Sequence, residues 1–410
     1  MFSWLSTARR LYSVFVGPPS LATPSSTSPP IKFGILGAAK VASTGLIIPA
    51  LSHPEVEIHA VAARDPIRAE AFAKKYKLRT FYGGGDAYQK LLDDPEIQAV
   101  YVALPGGLHY EWTMKALAAN KHVLVEKPSS VSSEQTREMF EFAQKKGLVI
   151  LEGLQYRFYP AIIRAKEIID SGELGAIKSI ETIITGPQGS LKTDDIRYTW
   201  EIGGGIFQDM GTYPVNVLRY FTSSEPTSVL SASYTAHPND PKVDQAMTTT
   251  LAFPGDVVGS IELNFEIPYK FGLIPSLPKM DVTVKAENGE MTVKFFVLPF
   301  VYHSINVSVK DGQSGKGAKK RTEKVYSPTS VKGRTLKGEE WWASYRYQLE
   351  AFVDKVKGRE PDTWLTAEES IANLQTIEKV YEKAGLPPRP KSTFAFSPIT
   401  DDSIEAKRTA

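Results

Sequence analysis

The sequence contains no cysteine in its 410 residues. This absence excludes a disulfide framework, a thiolate metal site and a cysteine nucleophile. Metal-ligand spacing is also absent from most of the histidines, and we therefore predict no metal site. These histidines are His53, His59, His122, His237 and His303.

The sequence also lacks a large excess of charge of either sign and lacks long apolar runs. The net charge is +2, which gives no basic field for nucleic acid, and no apolar run is long enough to span a bilayer. The hydrophobic content of 42% and the charged content of 23% are ordinary for a globular protein. A chain of 410 residues exceeds the size of a single core, so we expect two domains.

Acidic residues are missing from residues 1–30, which contain Arg9 and Arg10 and then a stretch rich in Ser, Thr and Pro. This composition predicts a disordered leader, with a short surface helix over 2–16 that could contact a membrane or a partner. The alternative is a mitochondrial targeting segment in place of a cytoplasmic chain. Residues 391–410 are also predicted to be disordered.

What is present begins at Ile31, where a short apolar run ends in Gly37 and a turn of small residues leads into a segment that can be helical up to Leu51. This order is typical of a dinucleotide-binding fold, in which a pyrophosphate lies on backbone N–H groups. The residues that would form its cradle are Gly37, Ala38, Ala39, Lys40 and Val41. Similar turns join ordinary strand and helix pairs, so the interpretation depends on later residues.

Further buried strands are predicted at 57–63, 99–104 and 121–125, with helices between them. Their ends carry Arg64, then Leu104-Pro105, then Glu126-Lys127, and the carboxyl ends of strands are where open α/β sheets bind ligands. A guanidinium at Arg64 suits a 2′-phosphate, which favours NADP; Asp65 leaves NAD as the less favoured cofactor.

The second half is read as strand after strand, with a hairpin near 280–296, a solvated loop at 311–324 and helices at 341–357 and 367–384. An alternating first half followed by consecutive strands predicts an α/β Rossmann domain and then an α+β domain with an open, mostly antiparallel sheet.

Three motifs together give this chain a family resemblance: Gly37 to Ala42, Leu104-Pro105 with His109, and Glu126-Lys127-Pro128. They resemble those of the glucose–fructose oxidoreductase/inositol dehydrogenase (Gfo/Idh/MocA) family, and the match continues to about residue 390. The resemblance implies a nucleotide-binding domain at 31–152 and a substrate domain at 153–390. It further implies that helices at 341–384 pack back on the first domain and that a homodimer forms through the second sheet.

Two departures from the family pattern matter. Pro105-Gly106 stands where many relatives have Pro-Asn, so a side-chain contact to the nicotinamide ribose is expected to be missing. Tyr213 stands where many sugar dehydrogenases have histidine. That tyrosine resembles the branch of dimeric dihydrodiol dehydrogenase and the NADP-dependent D-xylose dehydrogenases.

The resemblance implies roles for individual residues. Tyr213 would take a proton from the substrate, and Lys127 would lower the pKa of Tyr213, by about three units for an ammonium about 4 Å away at an effective dielectric near 20. Asp209, Tyr213 and Asn216 would share one helix face. His109 and Glu126 would lie near the cofactor. Residues expected to bind the substrate are Tyr156, Asp194, Arg197 and Asn216.

Each of these residues also has a structural interpretation. Tyr213 could be a core aromatic, and Asp209 could be an acidic residue in the first turn of a helix. The isomer of the bond before Pro128 is left open. The function we expect is NADP-dependent oxidation of a pyranose such as D-xylose to its 1,5-lactone. The alternatives are a trans-dihydrodiol dehydrogenase or dicarbonyl reductase, and a non-catalytic NADP-binding regulator.

Overall fold

A computed structural model describes residues 4–23, 28–310, 318–327, 330–331, 334–335 and 337–395. Two large sheets organise these residues, one in each half of the chain. This arrangement agrees with the predicted fold class.

The first sheet has six strands in the order β3-β2-β1-β4-β5-β6, and every neighbouring pair is parallel. Its strands are β1 (Ile31–Leu36), β2 (Val56–Ala63), β3 (Thr80–Gly83), β4 (Ala99–Val102), β5 (His122–Glu126) and β6 (Ile150–Gly153). The central strand β4 is fully buried and β1 is buried except at Lys32, as their apolar runs predict. The expected domain boundary at residue 152 falls at the end of β6.

Helices connect these strands. After α1 (Trp4–Phe15) they are α2 (Lys40–Ala42), α3 (Ile48–Ala50), α4 (Pro66–Tyr76), α5 (Ala87–Asp93), α6 (His109–Ala118) and α7 (Ser133–Lys145). The segment predicted as one helix after Gly37 is divided, because a π-helical turn at Ser43–Ile47 separates α2 from α3.

The second sheet has eight strands in the order β14-β13-β12-β11-β7-β10-β9-β8, and only the β7–β10 pair is parallel. Its strands are β7 (Ile177–Pro187), β8 (Ser228–His237), β9 (Asp240–Phe253), β10 (Val257–Ile267), β11 (Lys279–Ala286), β12 (Gly289–Lys294), β13 (Ser304–Lys310) and β14 (Ala318–Glu323). Helices α8 (Pro160–Asp170), α9 (Ile206–Met210) and α10 (Thr212–Thr222) belong to the same half.

The prediction of a loop over 311–324 is wrong for 318–323, which form β14. Its basic residues suggested a solvated segment, but Arg321 donates two hydrogen bonds to Glu173, at 2.6 and 2.9 Å, and this charge pairing supports an edge strand. Residues 311–317 lie outside the described part of the chain.

Two C-terminal helices, α11 (Ser344–Val356) and α12 (Ala367–Lys383), return to the first domain. Phe352 of α11 packs on Phe33 of β1 with ring centroids 5.7 Å apart. The Glu378 carboxylate of α12 accepts hydrogen bonds from the backbone N–H and the hydroxyl of Ser133, at the start of α7. The expected packing of 341–384 against the first domain is therefore observed.

The short helix predicted over 2–16 is present as α1, but the prediction of disorder is wrong for the described residues at both ends. In α1, Val14 is buried in the main core and the Ser13 hydroxyl donates to the Trp341 carbonyl oxygen at 3.1 Å. At the other end, the Gln135 amide donates to the Ser392 carbonyl oxygen at 3.2 Å. Residues 396–410 lie outside the described part.

Where the structure describes the chain, it contains no helix that is both long and apolar enough to cross a membrane. The cytoplasmic location stays a prediction.

Candidate active site

A cleft of about 810 Å³ opens at the carboxyl ends of β1, β2, β4 and β5, and the loop before α9 forms its opposite wall. The three strand-end motifs singled out in the sequence all line this cleft. Its wall also contains Arg197 and Asp209 from the second domain.

The cradle expected after β1 is present. Gly37 has a φ of 102°, and a Cβ there would lie 2.7 Å from the Ala103 carbonyl oxygen, so a side chain is excluded both by conformation and by space. Ala38, Ala39, Lys40 and Val41 continue the same wall. Small residues on a strand-to-helix turn leave the backbone open to a pyrophosphate, and the residues present therefore fit a dinucleotide.

Arg64 lies in the wall at the end of β2, together with Arg68 and Tyr88. Asp65, the residue that left NAD open, caps α4, because its Oδ1 accepts from the backbone N–H groups of Ile67 and Arg68 at 2.9 and 3.3 Å. Two exposed guanidinium groups therefore face this end of the cleft, which suits a 2′-phosphate.

His109 connects two of the motifs. Its Nδ1 lies 2.7 Å from the Pro128 carbonyl oxygen and its Nε2 lies 2.7 Å from the Leu104 carbonyl oxygen. Burial lowers the pKa of this imidazole. Leu104 and Pro105 line the cleft beside it, and the Lys127–Pro128 bond left open in the sequence is cis. His109 thus lies between the two loops, where a neutral imidazole can donate to one of the two carbonyl oxygens, and forms part of the cofactor-side wall.

Lys127 stands at the centre of the polar part of the cleft. Its ammonium donates to Asp209 Oδ1 at 2.7 Å and to the Asp209 carbonyl oxygen at 2.9 Å. Arg197 donates from Nε to Asp209 Oδ2 at 3.1 Å. Burial raises the pKa of Asp209, but the charges of Lys127 and Arg197 outweigh burial and hold this pKa below its usual range.

Tyr213 lies next to Lys127, with the ammonium 5.3 Å from the ring centroid. The lysine and the tyrosine therefore meet, as expected. However, Tyr213 is only 5% exposed, burial raises its pKa, and the carboxylates of Glu126 and Asp209 raise that pKa further. Burial is the largest cause, so the pKa of Tyr213 is raised and the lowering expected from Lys127 is not observed.

Gly211 separates α9 from α10 but keeps helical φ and ψ of −65° and −19°, and Asp209 and Tyr213 both lie beside Lys127. Asn216 is 1% exposed, and its Oδ1 accepts from the Tyr156 hydroxyl at 2.7 Å and from Arg157 at 3.2 Å. Tyr156 is fully buried. Both residues form a polar contact inside the core and, like Tyr213, are not among the residues that line the cleft, so their contact with the substrate stays a prediction.

Asp194 is also misplaced by sequence reasoning, since it is exposed in a turn and is not part of the cleft wall. Its neighbour Asp195 has a defined partner, accepting from Arg197 Nη1 at 2.9 Å. Of the residues expected to bind substrate, Arg197 alone lines the cleft.

Sequence reasoning missed three residues. Arg68 follows Arg64 by one helical turn, a spacing that was visible in the sequence. Tyr101 and Tyr345 are close enough to Glu126 and Tyr213 to affect each other's ionisation, but both were hidden in stretches that read as core. Over the described residues, the acidic and histidine side chains form no group of three that could hold a metal ion.

Comparison with known proteins follows the same division of the chain. Residues 31–154 match the family described as "Oxidoreductase family, NAD-binding Rossmann fold" of the Gfo/Idh/MocA group, and residues 162–291 match the C-terminal domain of that group.

Two curated relatives have similar sequences. A D-xylose 1-dehydrogenase (NADP(+)) from Haloferax volcanii is 31% identical over 356 residues, which cover 86% of this chain and 97% of the relative. A trans-1,2-dihydrobenzene-1,2-diol dehydrogenase from Mus musculus is 31% identical over 232 residues, covering 56% of this chain and 67% of the relative.

Among solved structures, a 3-ketoreductase from Actinomadura kijaniata in complex with NADP and TDP-benzene has a TM-score of 0.70 at 24% identity. The likeness covers 86% of this chain and 98% of the reductase, and it concerns the fold.

Proposed function

The chain belongs to the Gfo/Idh/MocA oxidoreductase family, and from this premise we propose that it is an NADP-dependent dehydrogenase that oxidises the anomeric carbon of a pyranose such as D-xylose to the 1,5-lactone. One observation carries the proposal: Lys127 lies in the cleft wall, 2.7 Å from Asp209 and beside Tyr213. The D-xylose 1-dehydrogenase relative supports the choice of substrate.

NADP is the cofactor that the cleft fits. Gly37 and the small residues after it would hold the pyrophosphate, and Arg64 and Arg68 would hold the 2′-phosphate. Bound NADP supplies the acceptor for the hydride that leaves the sugar.

Lys127 is assigned to the reacting oxygen of the sugar. Its ammonium would donate a charge-assisted hydrogen bond to that oxygen as negative charge develops there. Asp209 would hold the ammonium in place through the 2.7 Å contact, and Arg197 would keep Asp209 ionised. Substrate binding would then replace one of the two hydrogen bonds of Lys127 to Asp209 and leave the other.

Tyr213 is assigned to the proton. In sugar oxidation an ionised Tyr213 would accept the proton of the anomeric hydroxyl, and in the reverse direction a protonated Tyr213 would donate to a carbonyl oxygen. Because its pKa is raised, we expect the oxidation rate to increase with pH through the alkaline range. The same property favours a second candidate function, reduction of one carbonyl of a dicarbonyl to a hydroxyl group by hydride from NADPH, since the proton donor Tyr213 stays protonated at neutral pH.

The experiment is to mix the protein with NADP and a panel of aldoses and trans-dihydrodiols, or with NADPH and dicarbonyls, and to follow NADPH fluorescence. We expect D-xylose or a related aldose to give the highest kcat/KM. A higher value for diols or dicarbonyls would replace the first candidate with the second. Binding of NADP without turnover of any compound would favour the non-catalytic regulator.

Tyr213→Phe tests the proton assignment. We expect kcat to fall by about 10² to 10⁴ and the alkaline increase in rate to disappear. If the variant keeps the pH profile of the parent, Tyr213 is a packing residue. Tyr220→Phe is the matched control, because Tyr220 is on the same helix and contacts Arg157 away from the cleft.

A homodimer through the second sheet is part of the proposal. Large apolar side chains on its strands are exposed, with Leu230 at 50%, Val258 at 37% and Tyr234 at 36%. A second copy would cover such a surface. Light scattering after size exclusion should give twice the mass of the 45.2 kDa chain, and a single-chain mass would reject the dimer.

A further inference from the structure

Beneath the cleft, a buried tyrosine holds a carboxyl group that the proposed function leaves without a role. Tyr101 is fully buried on β4, and its hydroxyl donates to Glu126 Oε1 at the end of β5. A Cβ on residue 45 would lie only 2.3 Å from the Tyr101 oxygen, so Gly45, inside the π-helical turn, makes room for this hydroxyl.

The direction of the hydrogen bond is fixed by electrostatics. Burial raises the pKa of Tyr101 well above its usual value, so the hydroxyl keeps its proton and is the donor. Burial also raises the pKa of Glu126, while the Tyr101 hydrogen bond and the Lys127 charge oppose that rise. The Tyr101 hydrogen bond therefore favours the ionised form of Glu126, against burial and against the charge of Asp209.

The Glu126 carboxylate lines the cleft next to Lys127, where the hydride is transferred in the proposed reaction. The oxidised nicotinamide ring is positively charged and the reduced ring is neutral. A carboxylate within several ångströms, at an effective dielectric near 20, favours the charged ring by a factor of about ten or more.

We propose that Tyr101 is a positioning residue that keeps Glu126 ionised in the cleft wall and thereby sets the preference of the site for oxidised over reduced NADP. This inference rests on the proposed function only in taking NADP as the cofactor and Lys127 as the place of hydride transfer. Neither a particular sugar nor turnover is needed for it.

The test measures the dissociation constants of NADP⁺ and NADPH separately, by calorimetry and by NADPH fluorescence, from pH 6 to pH 9 for the full-length protein. For Tyr101→Phe we expect the ratio Kd(NADP⁺)/Kd(NADPH) to increase about tenfold at neutral pH. The pH at which this ratio changes should move upward by about one to two units, because a hydrogen bond to a charged group is lost.

Glu126→Gln should give the same increase in the ratio and remove its dependence on pH. The double variant Tyr101→Phe/Glu126→Gln should add nothing to Glu126→Gln alone, since Tyr101 acts through the carboxylate. An additive effect of the two substitutions would overturn the proposal.

Tyr110→Phe is the matched control. The Tyr110 hydroxyl also donates to a glutamate, Glu138, but this pair joins α6 to α7 outside the cleft. We expect Tyr110→Phe to leave the ratio of dissociation constants unchanged. An unchanged ratio in Tyr101→Phe would overturn the proposal, and if that variant does not fold, an unchanged ratio in Glu126→Gln would do so.

The two proposals fail in different ways. Absence of turnover with every sugar, diol and dicarbonyl would reject the proposed activity, while the cofactor ratio would still decide the role of Tyr101.

Discussion

The two ends of the short helix α9 are held by two aspartates with opposite surroundings. At its start, Asp244 accepts from the Phe207 backbone N–H at 2.7 Å and from the Tyr381 hydroxyl at 2.9 Å, and its side chain and that of Arg389 are 0% exposed. At its other end, Asp209 contacts Lys127 and Arg197, whose side chain is 43% exposed.

The difference shows how one helix can combine a fixed support with an adaptable site. Burial raises the pKa of Asp244 although Arg389 acts in the opposite direction, whereas two cations hold the pKa of Asp209 below its usual range. The pair of Asp244 and Arg389 is shielded from solvent, so its role is structural. Asp209 in the cleft can give up a hydrogen bond when a ligand binds, because its partner Arg197 is partly solvated.

The largest effect is expected from Lys127→Met, which removes the cation at the cleft end. We expect kcat/KM to fall about 10³-fold, within the range for positioned proton-transfer and charge-stabilising groups, while the thermal midpoint changes little. Lys115→Met is the control, since Lys115 pairs with Glu111 on the surface of the first domain. A loss of less than about tenfold would exclude Lys127 from the reaction.

Asp244→Asn removes the buried ion pair at the start of α9 and should reduce the stability of the fold. The free energy of unfolding in urea should fall by about 3 kcal/mol, because Arg389 is left buried without its charge partner. Asp240→Asn, at the start of the same strand, should change it by less than about 0.5 kcal/mol, because its ion pair with Lys242 is long at 3.8 Å. Equal effects of the two substitutions would contradict the contrast between core and cleft.

Arg68→Gln extends the comparison to an exposed cation of the cleft wall that is proposed to bind the cofactor phosphate. We expect the Kd for NADP to rise about tenfold and the Kd for NAD to stay the same, because a charge-assisted contact to the 2′-phosphate is lost. Arg79→Gln is the control, because Arg79 pairs with Glu57 at 3.3 Å and does not line the cleft. An equal increase in the Kd for NAD would mean that Arg68 does not bind the 2′-phosphate.

The smallest effect concerns pH and Asp209. Its folded-state pKa lies below the ordinary 3.8, so its charge contributes stability above about pH 4 that is lost as the pH falls through the lower value. Relative to Asp209→Asn, the parent should be more stable by about 1 kcal/mol at pH 7. This advantage should shrink below pH 4 in urea unfolding, and a constant difference would show that the charge does not matter.

The sequence predicted the cleft because the ends of buried strands can be recognised where apolar runs stop, at Gly37, Arg64 and Lys127. Parallel strands bring these ends together at one edge of the sheet. It could not predict which polar residues face inward. Asn216 is held by Tyr156 from a distant segment, and that contact exists only in the folded core.

The helix after Gly205 gives a different lesson. Its backbone keeps helical φ and ψ through Gly211, but the i, i+4, i+7 spacing alone does not tell which of the aligned side chains the core takes up. Tyr101 was not predicted as a site residue, because a tyrosine inside a run of valine and alanine is typical of a core residue. The space for its hydroxyl depends on Gly45, which belongs to another element.

The return of α12 to α7 has a consequence for how the protein is made. A ribosome releases the chain from its N-terminus, and domains generally fold as they emerge. Here the nucleotide-binding half must remain without its last covering helix until Glu378 has left the exit tunnel and reached Ser133. A product that stalls or terminates before α12 would therefore carry an unprotected flank, and synthesis of α12 becomes the step that completes the first domain.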